Sequence, residues 1–254
     1  MINGNKLFLL EEVVKKDFAA KYKDSVLGIL WSVLKPLLIM ILLTIIFSTL
    51  FGNKIETYPV YFLSGKCIYD FFTATTNLAI GTIKRNQNIL KSTSAPKYVF
   101  VLGCIIAEFI NFIITLLILI FVMVVTNAPF YIFTIPLSII PVISLVMTII
   151  GIGLILSIIC VYYTDIQHLW SVVILMGMYA SAIFYPIDII PEPYHQILIL
   201  NPIFWIIDQF RSLAVYGNVP SYSYMTNSLL LSTIILISGI IFFKTFENKV
   251  TMKL

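Results

Sequence analysis

Apolar residues run along this chain in long stretches, and polar residues gather between them. Six stretches stand out, roughly Leu34–Phe51, Tyr58–Ile83, Val99–Thr126, Ile135–Tyr163, Leu169–Ile187 and Met225–Phe243. None alternates apolar and polar positions, so the pattern is not that of strands in a membrane barrel. A helix needs roughly 20 apolar residues to cross a hydrocarbon core about 30 Å thick. Backbone groups find no partner in lipid, so all six stretches are predicted as helices. The expected fold is an all-α polytopic membrane protein with six transmembrane helices, forming a single transmembrane domain over residues 1–254.

Positive charge orients the bundle. Of 16 Lys and Arg, six lie in residues 1–35, four in the 84–97 loop (Lys84, Arg85, Lys91, Lys97) and three in the tail. Six spans place these regions on one side, which the positive-inside rule assigns to the cytoplasm. Both termini are therefore expected in the cytoplasm, below an inner or plasma membrane. The 126–135 and 185–224 connections are expected outside. Residues 185–204, YPIDIIPEPYHQILILNPIF, break an apolar segment with Pro186, Pro191, Pro193 and Pro202. Prolines start or stop helices. Two short re-entrant helices are predicted over 189–207, with Asn201 between them. They form either an interfacial cap on the bundle or a lid over the outer mouth of a pathway.

Residues 6–30 carry Leu7, Leu10, Val14, Phe18 and Tyr22 at helical spacing, with Glu12, Lys16 and Lys23 opposite. This predicts an N-terminal amphipathic helix on the cytoplasmic membrane face, either an anchor alone or also a dock for a partner. Trp31 and Lys35 read as an interfacial anchor. Lys66 and Asp70 lie four apart on one face of span two, as an internal pair or as a group near the outer interface. Glu108, with Asn111 nearby, is predicted to face protein in a helix–helix contact rather than to relay protons. Tyr58, Tyr61, Tyr69, Phe71, Phe72, Tyr179, Phe184 and Tyr185 fall in spans two and five. Aromatic faces suit the C–H groups of sugar rings, and the choice among these eight stays open.

Composition narrows the chemistry. Hydrophobic residues make up 60% and charged residues 11%, and mean hydropathy is +1.01; a soluble domain carries about 25% charge. The mixed charges of the first 30 residues predict no cleavable signal peptide. Cys67, Cys104 and Cys160 are far apart in apolar segments and read as buried hydrophobes. The fragment Ser64-Gly65-Lys66-Cys67 is the nearest approach to a phosphate-binding loop. It has Val60 where the first glycine belongs and Cys67 in place of the hydroxyl. His168 and His195 suggest no metal pair. The chain is predicted to hold no cofactor or metal, to catalyse nothing alone and to bind no nucleic acid. Its energy is expected from elsewhere.

Several stretches together resemble one family: KYKDSVLGILWSVLKPLL at 21–38, TSAPKYVF at 93–100, IIAEFINF at 105–112, VYYTDIQHLW at 161–170, and residues 185–204 followed by Arg211. The chain is similar to the membrane subunit of ABC exporters for polysaccharides or polyol phosphates, including O-antigen, wall teichoic acid, capsule and rhamnose-rich polymers. The resemblance implies a homodimer with two cytoplasmic ATPase subunits that bind ATP and magnesium. The cargo it implies is a lipid-linked glycan. It implies ATPase contacts at the N-terminal helix and at Lys84, Arg85, Lys91, Lys97 and Asp165. It also implies an outer gate at Pro191, Pro193, Asn201 and Pro202, with spans one and five at the dimer interface. Thr164-Asp165 stands where the family often has Arg-Asp, which removes one charge from that corner. Lys16, Lys21, Lys23 and Lys35 are the candidate headgroup contacts. The alternatives are an ABC exporter permease for drugs or lipids, a secondary transporter and a membrane-embedded enzyme.

Overall fold

The computed structural model describes residues 2–22, 27–28, 30–51, 57–92, 95–251 and 253. Its helices are α1 (Ile2–Tyr22), α2 (Leu30–Phe51), α3 (Tyr58–Arg85), α4 (Gln87–Ser92), α5 (Tyr98–Val125), α6 (Ile139–Tyr162), α7 (Ile166–Tyr179), α8 (Glu192–Ile199), α9 (Pro202–Ala214) and α10 (Tyr222–Thr251). Among the described residues there is no strand.

Four helices, α2, α5, α6 and α10, are long and apolar enough to cross a membrane by length and composition. Helix α3 has 28 residues but carries Lys66 and Asp70 inside it. The expected fifth span, Leu169–Ile187, is not one helix. Helix α7 stops after 14 residues at Tyr179, and Ala182 takes a left-handed φ of 48°. Asn201 sets this stop. Its Nδ2 donates to Ser181 Oγ at 2.8 Å and to the carbonyls of Ala180 and Gly177 at 3.3 and 3.4 Å. These groups at a helix end otherwise lack partners.

Helix α3 is the central post and packs on α5 and α6. It buries residues along its length, with Phe71 stacked on Phe112 of α5 at 4.9 Å. Helices α6 and α10 meet backbone to backbone. A Cβ on Gly151 would lie 2.4 Å from the Ile235 carbonyl oxygen, and one on Gly239 the same distance from the Gly151 oxygen. Small residues permit such an approach, and Thr148 Oγ1 bonds Ser232 Oγ across the seam at 3.1 Å. Helices α2 and α7 are held differently. Leu38, Ile41, Leu42 and Ile45 on α2, and Leu169, Val172, Val173 and Met176 on α7, are exposed. Helix α7 buries no residue.

Helix α1 lies along α5, with a different face inward from the one expected. The stripe of Leu10, Val14 and Phe18 is only half-buried, and the side chains of Leu7 and Tyr22 fall outside the described residues. The face against α5 carries Leu9, Val13, Asp17 and Lys21. Val13 is buried against Gly103, where a Cβ would come within 2.4 Å of its Cγ1. A search for apolar periodicity passes over this face because two of its four members are charged.

The 84–97 segment, expected as a loop, contains α4, whose Leu90 is buried. The hairpin expected over 189–207 runs on to Ala214. Pro191 caps α8 and Pro193 sits in its first turn. Asn201 caps α9, accepting from Ile203 N at 3.0 Å, with Pro202 in the first helical position. Helix α9 buries Ile203, Ile206, Ile207, Phe210 and Leu213, whereas most of α8 is exposed. The two helices are therefore a buried arm and an exposed flap.

Candidate functional site

A cavity of about 480 Å³ opens among α1, α2, α3 and α5. It brings together five charged residues singled out in the sequence: Lys21, Lys35, Lys66, Asp70 and Glu108. Each arrives on a different turn of the fold. Lys21 ends α1, Lys35 lies in the second turn of α2, Lys66 and Asp70 share one face of α3, and Glu108 projects from the third turn of α5. Three basic side chains thus share the cavity with two acidic ones.

Glu108 is almost fully buried and accepts from Lys21 Nζ at 2.8 and 3.0 Å. Asn111 Nδ2 adds a bond at 3.2 Å. A charge placed at the middle of a membrane helix costs about 3 kcal/mol on insertion scales. The ammonium end of α1 offsets that cost, which explains why α1 turns a charged face inward. The contact expected for Glu108 is thus with the N-terminal helix. Lys66 pairs with Asp70 one turn on, toward the end of α3 that carries Lys84 and Arg85. Lys66 is 17% exposed and Asp70 45%, and both line the cavity. Lys35 is exposed, and no partner of it occurs among the described residues.

At the opposite end Arg211 is housed in another way. It is 5% exposed. Nη1 donates to Ala182 O at 2.8 Å, Nη2 to the carbonyls of Tyr61 and Ile183 at 3.1 Å each, and Nε to Ser64 Oγ at 3.4 Å. Its carbon lies 3.7 Å above the Tyr61 ring. A carboxylate within ion-pair distance is lacking among the described residues. The clamp ties α9 to α3 and to the 182–183 turn. It explains two local oddities. Gly65 is required because a Cβ there would sit 2.5 Å from Arg211 Nη2. The left-handed Ala182, costly by roughly 1–2 kcal/mol, is held by two donors on its carbonyl, Arg211 and the Tyr61 hydroxyl. A second cavity of about 270 Å³ adjoins the clamp and includes Asp188 and Asp208. Burial raises the Asp208 carboxyl above its ordinary range, and the Tyr224 hydroxyl at 3.0 Å pulls it back.

Most aromatic candidates serve packing within the chain. Tyr58, Tyr61, Tyr69, Phe71 and Phe72 are buried. Tyr58 donates to Phe184 O at 3.1 Å, Tyr61 to Ala182 O and Tyr185 O, Tyr69 to Ile174 O and Tyr185 to Tyr179 O. Phe47, Tyr58, Phe62, Phe184 and Tyr179 form a continuous run of rings between α2, α3 and the 179–185 turn. Tyr179 is the candidate with an open face, and Phe71 borders the larger cavity.

The basic residues near the 84–97 segment are spread out. Lys84 Nζ reaches Thr164 Oγ1 at 2.7 Å, beside Asp165, so the unusual threonine receives a cation there. Arg85 turns back to Leu78 O, and Lys91 is exposed on α4. Lys97 starts α5. Lys16 Nζ holds Asn86 Oδ1 at 2.8 Å, joining α1 to the end of α3. Lys23 lies outside the described residues. Sequence reasoning missed the Arg211 clamp and the Lys21–Glu108 pair. The signal for the first was one arginine within the largely apolar IFWIIDQFRSLAVY.

Long apolar helices around a charged internal cavity define a multi-pass membrane protein with a polar compartment. The family model for the ABC-2 type transporter matches residues 9–215, and the chain belongs to that family. An O-antigen export system permease protein, RfbA of Klebsiella pneumoniae, is 28% identical over 241 residues, covering 95% of this chain and 93% of that protein. The polysialic acid transport protein KpsM of Escherichia coli is 19% identical, covering 94% and 93%. The capsule polysaccharide export inner-membrane protein CtrC of Neisseria meningitidis is 18% identical, covering 90% and 87%.

Proposed function

We propose that this chain is the membrane-spanning subunit of an ATP-driven exporter that moves a lipid-linked polysaccharide across the inner or plasma membrane. The observation that carries the reading is the near full-length likeness to an O-antigen export permease. The geometry is consistent with it. The chain crosses six times, α7 and the 180–186 turn together making the fifth crossing, and both termini lie in the cytoplasm. The exposed apolar faces of α2 and α7 meet a second copy, so a homodimer encloses the pathway. Helix α4, with Lys84, Arg85, Lys91 and Lys97, and the corner at Asp165 contact a separate ATPase, which binds ATP and magnesium. Helices α8 and α9 form the outer gate, and Tyr179 meets the sugar chain.

Purification from native membranes is expected to recover a bound ATPase subunit. Deletion of the gene is expected to leave a lipid-linked glycan inside the cell. Accumulation of a small amphiphile instead would favour a drug or lipid exporter. Cysteine at Asn218 is expected to react with an impermeant maleimide added outside intact cells, and protection there would reverse the orientation.

A further inference from the structure

We propose that the cavity among α1, α2, α3 and α5 is a binding pocket for the phosphate-bearing headgroup of a lipid, with Lys35 and Lys66 as its ligands. The inference rests on the functional reading above and gives it an atomic site. At about 480 Å³ the cavity falls within the roughly 300–1,000 Å³ of small-molecule sites and far exceeds the ~30 Å³ share of one water. Its lining is amphipathic, with Trp31, Ile39, Phe71 and Phe112 beside the charged groups. Such a wall suits a charged head on an apolar tail. Its loosely held border is α2, whose outer face is apolar and uncovered within this chain, so a tail can pass beside it, at the edge of the contact with a second copy, while the head enters.

The charge arrangement points to a phosphate group rather than to a fixed ion-pair network. Lys35 stands in the cavity without a partner among the described residues. Lys66 lies deep along α3, 19 residues from Arg85 and about 28 Å by helical rise. Lys35 on α2 and Lys66 on α3 therefore offer two contacts on adjoining walls of the cavity. Asp70 and Glu108 act as place-holders that keep Lys66 and Lys21 paired when no headgroup is present. The half-exposed Asp70 gives way when a phosphate, with more acceptor oxygens, takes its place. Competition of this kind keeps affinity moderate. A conduit requires that, because its cargo must leave as readily as it enters.

The test uses the full chain with its co-purified ATPase in phosphatidylcholine nanodiscs, titrated with geranylgeranyl diphosphate. Wild type and Lys35→Arg are expected to bind alike. Lys35→Gln and Lys66→Gln are expected to bind about tenfold more weakly. Asp70→Asn is expected to bind several-fold more tightly, roughly the effect of removing one competing charge. Geranylgeraniol, which lacks the phosphates, is expected to show no difference among variants. Lys249→Gln, outside the cavity, controls for loss of net charge. Lys35 is exposed, so its variant folds even where Lys66→Gln does not. Competition by inorganic diphosphate but not by phosphatidylglycerol assigns the pocket to a diphosphate anchor. Displacement by phosphatidylglycerol assigns it to a bilayer phospholipid, and both keep the phosphate site. Wild-type affinity in Lys35→Gln and Lys66→Gln overturns the proposal. Should ATP-dependent export persist in cells alongside that result, the pocket alone is refuted. Absence of a bound ATPase would instead refute the exporter.

Discussion

Lys21 and Arg211 both bond groups buried in the apolar body of the chain, and they are housed by opposite strategies. Lys21 meets a buried carboxylate, Glu108, at the edge of a cavity that three other charged side chains share. Arg211 meets three carbonyls, one hydroxyl and an aromatic face in a buried corner. Carbonyl acceptors bring no countercharge, but they are fixed to backbone and need no rotamer ordering. They suit a cation whose task is to hold three segments in register. A carboxylate neutralises its cation but stays free to exchange partners, which suits a site that changes occupancy. The contrast distinguishes a joint from a site more surely than burial does.

Substitutions at five positions break or sharpen that contrast. Arg211→Ala leaves buried carbonyls without donors and is expected to cost about 3–5 kcal/mol, by analogy with a broken buried ion pair. Lower recovery of monodisperse protein and a lower Tm would report it. Arg211→Lys is expected to recover less than half, because an ammonium cannot reproduce the planar fork; full recovery would mean that charge alone matters at the joint. Gly65→Ala drives a methyl into Nη2 and is expected to cost about 1–3 kcal/mol. Combined with Arg211→Ala, its extra cost should vanish. Glu108→Gln is expected to lose about 1–2 kcal/mol, discounted because Lys21 is 39% exposed. Its effect should show in folding yield more than in the turnover of folded protein, and the reverse would reopen a proton relay. Pro191→Ala with Pro193→Ala lies on the exposed α8 and is expected to shift Tm by less than about 0.5 kcal/mol equivalent. Transport should change while ATPase assembly is intact. Loss of assembly would make the hairpin a purely structural cap.

Much of this was legible in the chain, for physical reasons. Long apolar runs identified α2, α5, α6 and α10 because lipid demands length and hydrophobicity together. The prolines at 191, 193 and 202 marked helix starts because a missing N–H does no harm in a first turn. The extent of α7 was not legible, since the groups that end it are paired by Asn201, 20 residues from Ser181. The inward face of α1 was hidden for a related reason. Its Lys21 has its reason for facing inward 87 residues away, at Glu108. Lys35 read as an interfacial anchor and Lys66 as half of a pair, and only the packing of α2 beside α3 brings both to one cavity.

The backbone contact between Gly151 and Gly239 has a mechanical consequence. Two helices touching through glycine, with carbonyl oxygens seated where a methyl would go, cannot slide or rotate without collision. That side of the molecule behaves as a rigid strut. Whatever widens to admit a bulky polymer must hinge on the far side, where α2 and α7 carry little buried surface. A cysteine bridge stapling α6 to α10 should therefore be harmless, and one fastening α2 to α3 should jam the machine.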